Sequence, residues 1–266
     1  MINYNFKNKN VLVTASSQGI GHAIAKNFHN FGANVIVCSK NKSSLENSIK
    51  EFDCKAENKI LGIQCDLSDL DNCFELIEKV QDEFNNKIDI LINNSGGPPP
   101  LAIKETNLND WEQALNHNLM SSIIISKAVL PIMEKNNFGR IVFLTSTVSK
   151  EPAQNMALSN VTRAGVAAFS KTLSKEIPKN TGITVNTILT GGCVTNRLQS
   201  LILKQAKVNN ETYDDCLKRL SKTVPVGYFA SPDEFSKIIL YLSSEDASYI
   251  NGVALPVDGG SLNGVF

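Results

Sequence analysis

Short runs of β-branched residues alternate along this chain with longer stretches whose apolar positions recur at helical spacing. The first run, Asn10–Thr14, precedes a helix predicted from Ile20 to Phe31, with Ala23, Ile24, Phe28 and Phe31 on its inner face and Gly32 as its C-terminal cap. Further strands are predicted at Asn34–Cys38, Ile60–Cys65, Ile88–Asn93, Arg140–Thr145, Thr184–Leu189 and Val253–Val257. Between them, helices are predicted over Ser43–Phe52, Leu108–Lys135, Ala157–Ile177 and from about Ser231. Strand–helix alternation of this kind specifies an α/β fold: a Rossmann-type, doubly wound, seven-stranded parallel sheet with helices on both faces. No repeat or linker divides the chain, so residues 1–266 read as one domain.

One segment breaks the rhythm. Residues 193–228 read as one or two short amphipathic helices inserted after the sixth strand. Such an insertion sits above the ligand crevice, where a lid is the expected role and a structural helical hairpin the plain alternative.

Composition narrows the function classes. Lysine plus arginine (26) equals aspartate plus glutamate (26), and the basic residues are scattered, which argues against nucleic acid as a partner. The apolar runs are too short to span a bilayer, and Met1–Asn10 lacks the apolar core of a signal peptide. The six cysteines, Cys38, Cys54, Cys65, Cys73, Cys193 and Cys216, form no C-x-x-C pair and no zinc pattern. Buried thiols in a reducing, cytoplasmic compartment are expected, and no metal site.

The candidate chemistry begins at Thr14-Ala15-Ser16-Ser17-Gln18-Gly19-Ile20-Gly21, which follows a strand and opens a helix. Backbone amides at that helix N-terminus suit a pyrophosphate, with Gly19 and Gly21 permitting close approach. At the end of the second strand, where a carboxylate would accept from an adenosine 2′-hydroxyl, the chain carries Ser39 and Lys40. Lys40 suits a 2′-phosphate, so NADP(H) is favoured over NAD(H); its plain alternative is a solvated lysine. Asp66, followed by Leu67, is placed for the adenine edge, and the Asn93–Gly97 backbone, through Asn94, Ser95 and Gly96, runs beside the cofactor.

These motifs resemble the short-chain dehydrogenase/reductase family over essentially the full chain, and are similar to 3-oxoacyl-(acyl carrier protein) reductases. The family's glycine-rich turn matches Thr14–Gly21, with Ala15 where a first glycine is usual, and its Asn-Asn-Ala-Gly motif matches Asn93–Gly96. The resemblance makes Asn118 a helix-bending, water-holding asparagine and Ser146 the substrate-orienting serine. It places Gly191 and Thr195 by the nicotinamide, and it implies a homotetramer or homodimer, with the long helices, Leu255–Gly260 and Phe266 as interfaces.

The departure lies in the family's Tyr-x-x-x-Lys pair, thirteen and seventeen residues beyond the serine. Here those positions hold Ser159 and Arg163. A serine hydroxyl is a far poorer acid than a phenol of pKa about 10, and arginine does not deprotonate under ordinary conditions. The usual proton relay therefore does not transfer. What remains is electrostatic: Ser146 and Ser159 as donors to a developing oxyanion, Arg163 as fixed charge, and Asn118 in support. The expected activity is an atypical NADP(H)-dependent oxidoreductase acting on a small alcohol or carbonyl substrate. A non-catalytic NADP(H)-binding protein and a net non-redox reaction remain open beside it. Replacement proton donors are few: Lys150, Glu151, Tyr213 and Tyr228. His117 is expected to point away from Asn118's face, and His22 and His29 to have no catalytic role.

Overall fold

The computed structural model describes residues 4–53 and 56–265. Cys54 and Phe266, both named above, lie outside the described residues. Seven parallel strands form one sheet: β1 (Asn10–Val13), β2 (Asn34–Ser39), β3 (Ile60–Gln64), β4 (Ile90–Asn93), β5 (Gly139–Leu144), β6 (Ile183–Thr190) and β7 (Ala254–Val257). Their spatial order is β3-β2-β1-β4-β5-β6-β7, so the chain reverses direction across the sheet between β1 and β4. That reversal opens a crevice beyond the carboxyl ends of the strands, where such sheets bind ligands. Alternation along each strand sorts its side chains onto two faces. Leu12, Ile36, Leu91, Ile141 and Phe143 pack against α3 (Leu70–Glu83), α5 (Ser121–Asn136) and α6 (Ala157–Glu176). Val11, Val13, Val35, Ile92 and Val142 pack instead against α1 (Gly19–Asn30) and α9 (Pro232–Ser243). Phe28 of α1 is fully buried in that second layer, and truncating such a ring to alanine costs about 3–5 kcal/mol.

All seven predicted strands are present with shifted ends. Gly32 has φ +91° and its amide donates to the His29 carbonyl, closing α1 as expected. No helix is predicted between the third and fourth strands. The structure has α3 there, capped by Asp69 and burying Cys73, Leu76, Ile77 and Val80 on one stripe. The helix expected over Leu108–Lys135 is α4 (Leu108–Ala114) running into α5 through a wider π-helical turn, Leu115–Met120. Within that turn the Ser121 amide donates to the Asn116 carbonyl, five residues back. The segment 193–228 carries α7 (Asn196–Asn209) and α8 (Tyr213–Ser221), which share a small apolar cluster of Ile202, Ala206 and Cys216. α2 (Lys42–Ile49) follows β2.

Candidate active site

A cleft of about 500 Å³ lies at the carboxyl ends of the strands, above the β1–β4 reversal. Ser17, Gln18, Gly19 and Ile20 line one wall at the N-terminus of α1. Gly19 holds φ +61°, and a Cβ there would lie 3.3 Å from the Thr195 methyl carbon. Thr195 caps α7, so the start of α7 rests against the glycine-rich turn. Thr14 and Ser16 act from behind: Thr14 Oγ1 donates to the Asn94 carbonyl (2.6 Å), and Ser16 Oγ donates to the Val13 carbonyl (2.7 Å). A Cβ on Gly21 would meet Asn94 Nδ2 at 2.6 Å, which fixes α1 close to the β4 turn. Ala15 holds φ +45°, a conformation disfavoured for any residue with a Cβ.

The two strand-end residues read separately from sequence meet in space. Lys40 Nζ lies 2.6 Å from the Asp66 carboxylate, because the parallel register of β2 and β3 carries both chains to the same edge. Burial pushes the Asp66 carboxyl up, but hydrogen bonds from Lys40 and Ser68 outweigh it and hold it below its ordinary value. Lys40 and Ser39 line the cleft; Leu67 is buried in the core behind them.

At the other end lie Ser146, Ser159 and Arg163. Ser146 follows β5 and its Oγ accepts from the Val148 amide (3.4 Å). Ser159 and Arg163 sit one turn apart on α6, both buried. The Arg163 guanidinium donates to three carbonyls: Leu144 (2.8 Å), Ser95 (3.0 Å) and Gly96 (3.4 Å). Burial, with a smaller push from Arg197, pulls its pKa down to about 10, so it remains charged at pH 7. Asn118 Nδ2 donates to Ser95 Oγ (2.7 Å) and the Gly96 carbonyl (2.8 Å), while its buried Oδ1 has no protein partner. An orphaned acceptor beside Gly96 fits a water or a ligand hydroxyl.

His117 and Arg197 also line the cleft, the first against expectation and the second unnamed in the sequence reading. His117 was expected to turn away; the π-helical turn rotates the register, and its ring lines the cleft with Nε2 3.5 Å from where a Gly96 Cβ would lie. Burial first, and then the Arg163 charge, keep its pKa below the usual imidazole value, so it is neutral at pH 7. Arg197, in the first turn of α7, reaches across to the Gly97 and Pro98 carbonyls. The other candidates lie elsewhere. Glu151 accepts from the Gly264 and Asn263 amides, and those bonds hold its carboxyl low. Tyr228 donates to Glu234 (2.9 Å), which raises its phenol pKa, and Tyr213 packs on the α7–α8 cluster. His22 pairs with Glu51 (3.0 Å) and His29 is buried in the fold. Lys150 is not among the residues lining the cleft.

The lining fits a phosphate-bearing dinucleotide. Lys40, Arg163 and Arg197 face it, a helix N-terminus opens onto it, and no carboxylate is among its described lining residues. Among the described residues no helix is long and apolar enough to cross a membrane, and no group of three or more His, Cys, Asp or Glu could hold a metal ion. The five described cysteines are free and buried.

A family profile described as enoyl-(acyl carrier protein) reductase matches residues 14–261. The chain is 32% identical over 258 residues to the uncharacterized oxidoreductase YvrD of Bacillus subtilis, covering 96% of each. It is 31% identical over 256 residues to the 3-oxoacyl-[acyl-carrier-protein] reductase FabG of Escherichia coli, covering 96% of this chain and 98% of that one. Among solved structures, L-sorbose reductase from Gluconobacter frateurii, complexed with NADPH and L-sorbose, superposes with a TM-score of 0.94 at 28% identity, covering 99% and 100% of the two chains. YwfH, an NADPH-dependent reductase involved in bacilysin biosynthesis, does so at 0.90 and 26%, covering 97% and 99%. Fold, glycine-rich turn and full-length likeness agree: the chain belongs to the short-chain dehydrogenase/reductase family.

Proposed function

We propose that the protein is an NADP(H)-dependent oxidoreductase that reduces a small carbonyl substrate, or oxidises the matching alcohol, with an atypical active site. The observation that carries this reading is one cleft joining a helix N-terminus and Lys40 at one end to Ser146, Ser159 and Arg163 at the other. An NADPH-complexed reductase and an NADPH-dependent reductase of the same fold support the cofactor. Residues 17–20 at the start of α1 would hold the pyrophosphate, Lys40 the 2′-phosphate, and Asn94, Ser95, Gly96, Gly191 and Thr195 the remainder. When bound, the cofactor supplies or accepts a hydride at the substrate carbon.

In our reading Ser159 and Arg163 stand where the family carries its tyrosine and lysine. The cleft offers no phenol: no tyrosine is among its described lining residues. Ser146 and Ser159 hydroxyls donate to the developing oxyanion, and Arg163, fixed by three carbonyls, holds positive charge beneath it. The proton then comes from water. General acid–base help is worth about 10²–10⁴ in rate, so turnover is slow rather than absent. Replacing Arg163 with Ala should depress NADPH consumption sharply with a carbonyl substrate; unchanged turnover refutes the assignment.

The same missing phenol supports a second reading, a non-catalytic NADP(H)-binding protein. Under it, NADPH binds, no carbonyl is reduced, and Ser159→Tyr with Arg163→Lys creates activity. A net non-redox reaction would instead convert substrate without net NADPH loss. We place the protein in the cytoplasm as a single domain, with 193–228 as lid, assembled as a homotetramer or homodimer. A monomer on size-exclusion chromatography refutes the assembly.

A further inference from the structure

Arg197 is electrostatically out of place. It occupies the first turn of α7, where the helix dipole is positive and no acidic residue is present. Its side chain stays largely exposed at the cleft, partial desolvation lowers its pKa, and its charge pushes down that of the buried Arg163. Among the described residues neither arginine has an ion-pair partner. An arginine lining a cleft that has no carboxylate among its described lining residues is available to an anionic ligand.

The cleft has two ends, and Arg197 belongs to the reacting one. Its guanidinium packs on Gly97, next to the Ser95 and Gly96 carbonyls that hold Arg163, whereas Lys40 is held at the far end by Asp66. On the cofactor reading above, Lys40 and the start of α1 already serve the phosphates. Arg197 is then the cation left without an anion.

We infer that Arg197 selects a carbonyl substrate that also carries a carboxylate. This inference rests on the proposed reductase function and names its substrate class. Arg197 now donates to two neutral carbonyls, of Gly97 and Pro98. A carboxylate accepts the same planar pair of N–H groups and, being ionised, roughly twice as strongly. One guanidinium matches one unit of negative charge, and Arg163 is already committed to three carbonyls. Met156, Leu198 and Leu201 also line the cleft and suit a short apolar body between carbonyl and acid. Gly97 is required for this arrangement, since a Cβ there would lie 2.5 Å from the Arg197 guanidinium carbon.

The test is calorimetric titration of pyruvate, acetoacetate and levulinate, each against its methyl ester, into the protein with and without NADPH. At least one acid should bind about 10-fold or more tightly than its ester, as a hydrogen bond to a charged group implies. That preference should vanish in Arg197→Leu, survive weakened in Arg197→Lys, and shrink with added salt. An unchanged melting temperature shows that Arg197→Leu is folded. Equal binding of every acid and ester, or a preference that survives in Arg197→Leu, overturns the inference. If NADPH fails to bind while the Arg197-dependent preference remains, the reductase reading falls and the anion site stands. If NADPH binds and acids are not preferred, only this inference falls.

Discussion

Replacing Arg163 with Met separates function from stability, because the two terms that fix its structural worth nearly cancel. Its side chain is 7% exposed and donates to carbonyls at 2.8, 3.0 and 3.4 Å. Leaving the two closer carbonyls without a donor costs about 1–3 kcal/mol each. Against that, the charge is buried without a carboxylate. The fall of its pKa from 12.5 to about 10 corresponds to about 3 kcal/mol held against the charged form in the folded state. Methionine fills similar volume and releases that penalty. Urea unfolding should therefore shift by no more than about 1 kcal/mol of gain or about 3 kcal/mol of loss. Carbonyl reduction, followed by loss of NADPH absorbance, should fall about 100-fold or more, the scale of removing one oxyanion-stabilising group. A stability loss above about 4 kcal/mol would assign Arg163 to the scaffold, and unchanged turnover would remove it from the chemistry.

Two further perturbations follow from local geometry. Ala15 at φ +45° carries about 1–2 kcal/mol of strain, partly offset in glycine by unfolded-chain entropy. Ala15→Gly should thus stabilise the protein by about 0.5–1 kcal/mol in urea unfolding, and a destabilised variant contradicts that backbone assignment. Buried His29 has its pKa lowered, chiefly by desolvation. The unfolded chain therefore takes up this proton first as pH drops below about 6.5. Stability contributed by neutral His29 is intact above that value and is lost as pH falls toward the folded pKa. Unfolding from pH 7 to 5 should show the decline, and His29→Leu should flatten it; an identical slope in the variant rejects the cause.

The sheet was legible because its strands are short, the inner ones β-branched and buried on both faces, and because Gly32 adopts a positive φ. α3 carried a readable signal, the Asp69 cap with Cys73, Leu76, Ile77 and Val80 at helical spacing, which was not used. His117 was misread because a 3.6-residue period was assumed through a turn that bonds five residues back. The Lys40–Asp66 pair depends on inter-strand register, which neither residue's neighbours encode. Arg197 lies in a helix whose orientation over the cleft follows from packing of Thr195 on Gly19. Its one local sign is a cation in the first turn of a helix that has no acidic residue there.

The central claim is the NADP(H) site, and calorimetric titration of NADPH, NADP⁺, NADH and NAD⁺ tests it most directly, with Lys40→Asp alongside. The account predicts that the phosphorylated pair binds more tightly. Because an exposed ion pair is worth up to about 1 kcal/mol and charge reversal adds repulsion, the variant should lose about 10-fold for NADPH and little for NADH. Failure of all four nucleotides to bind would contradict the account, and the enzyme reading would be abandoned first.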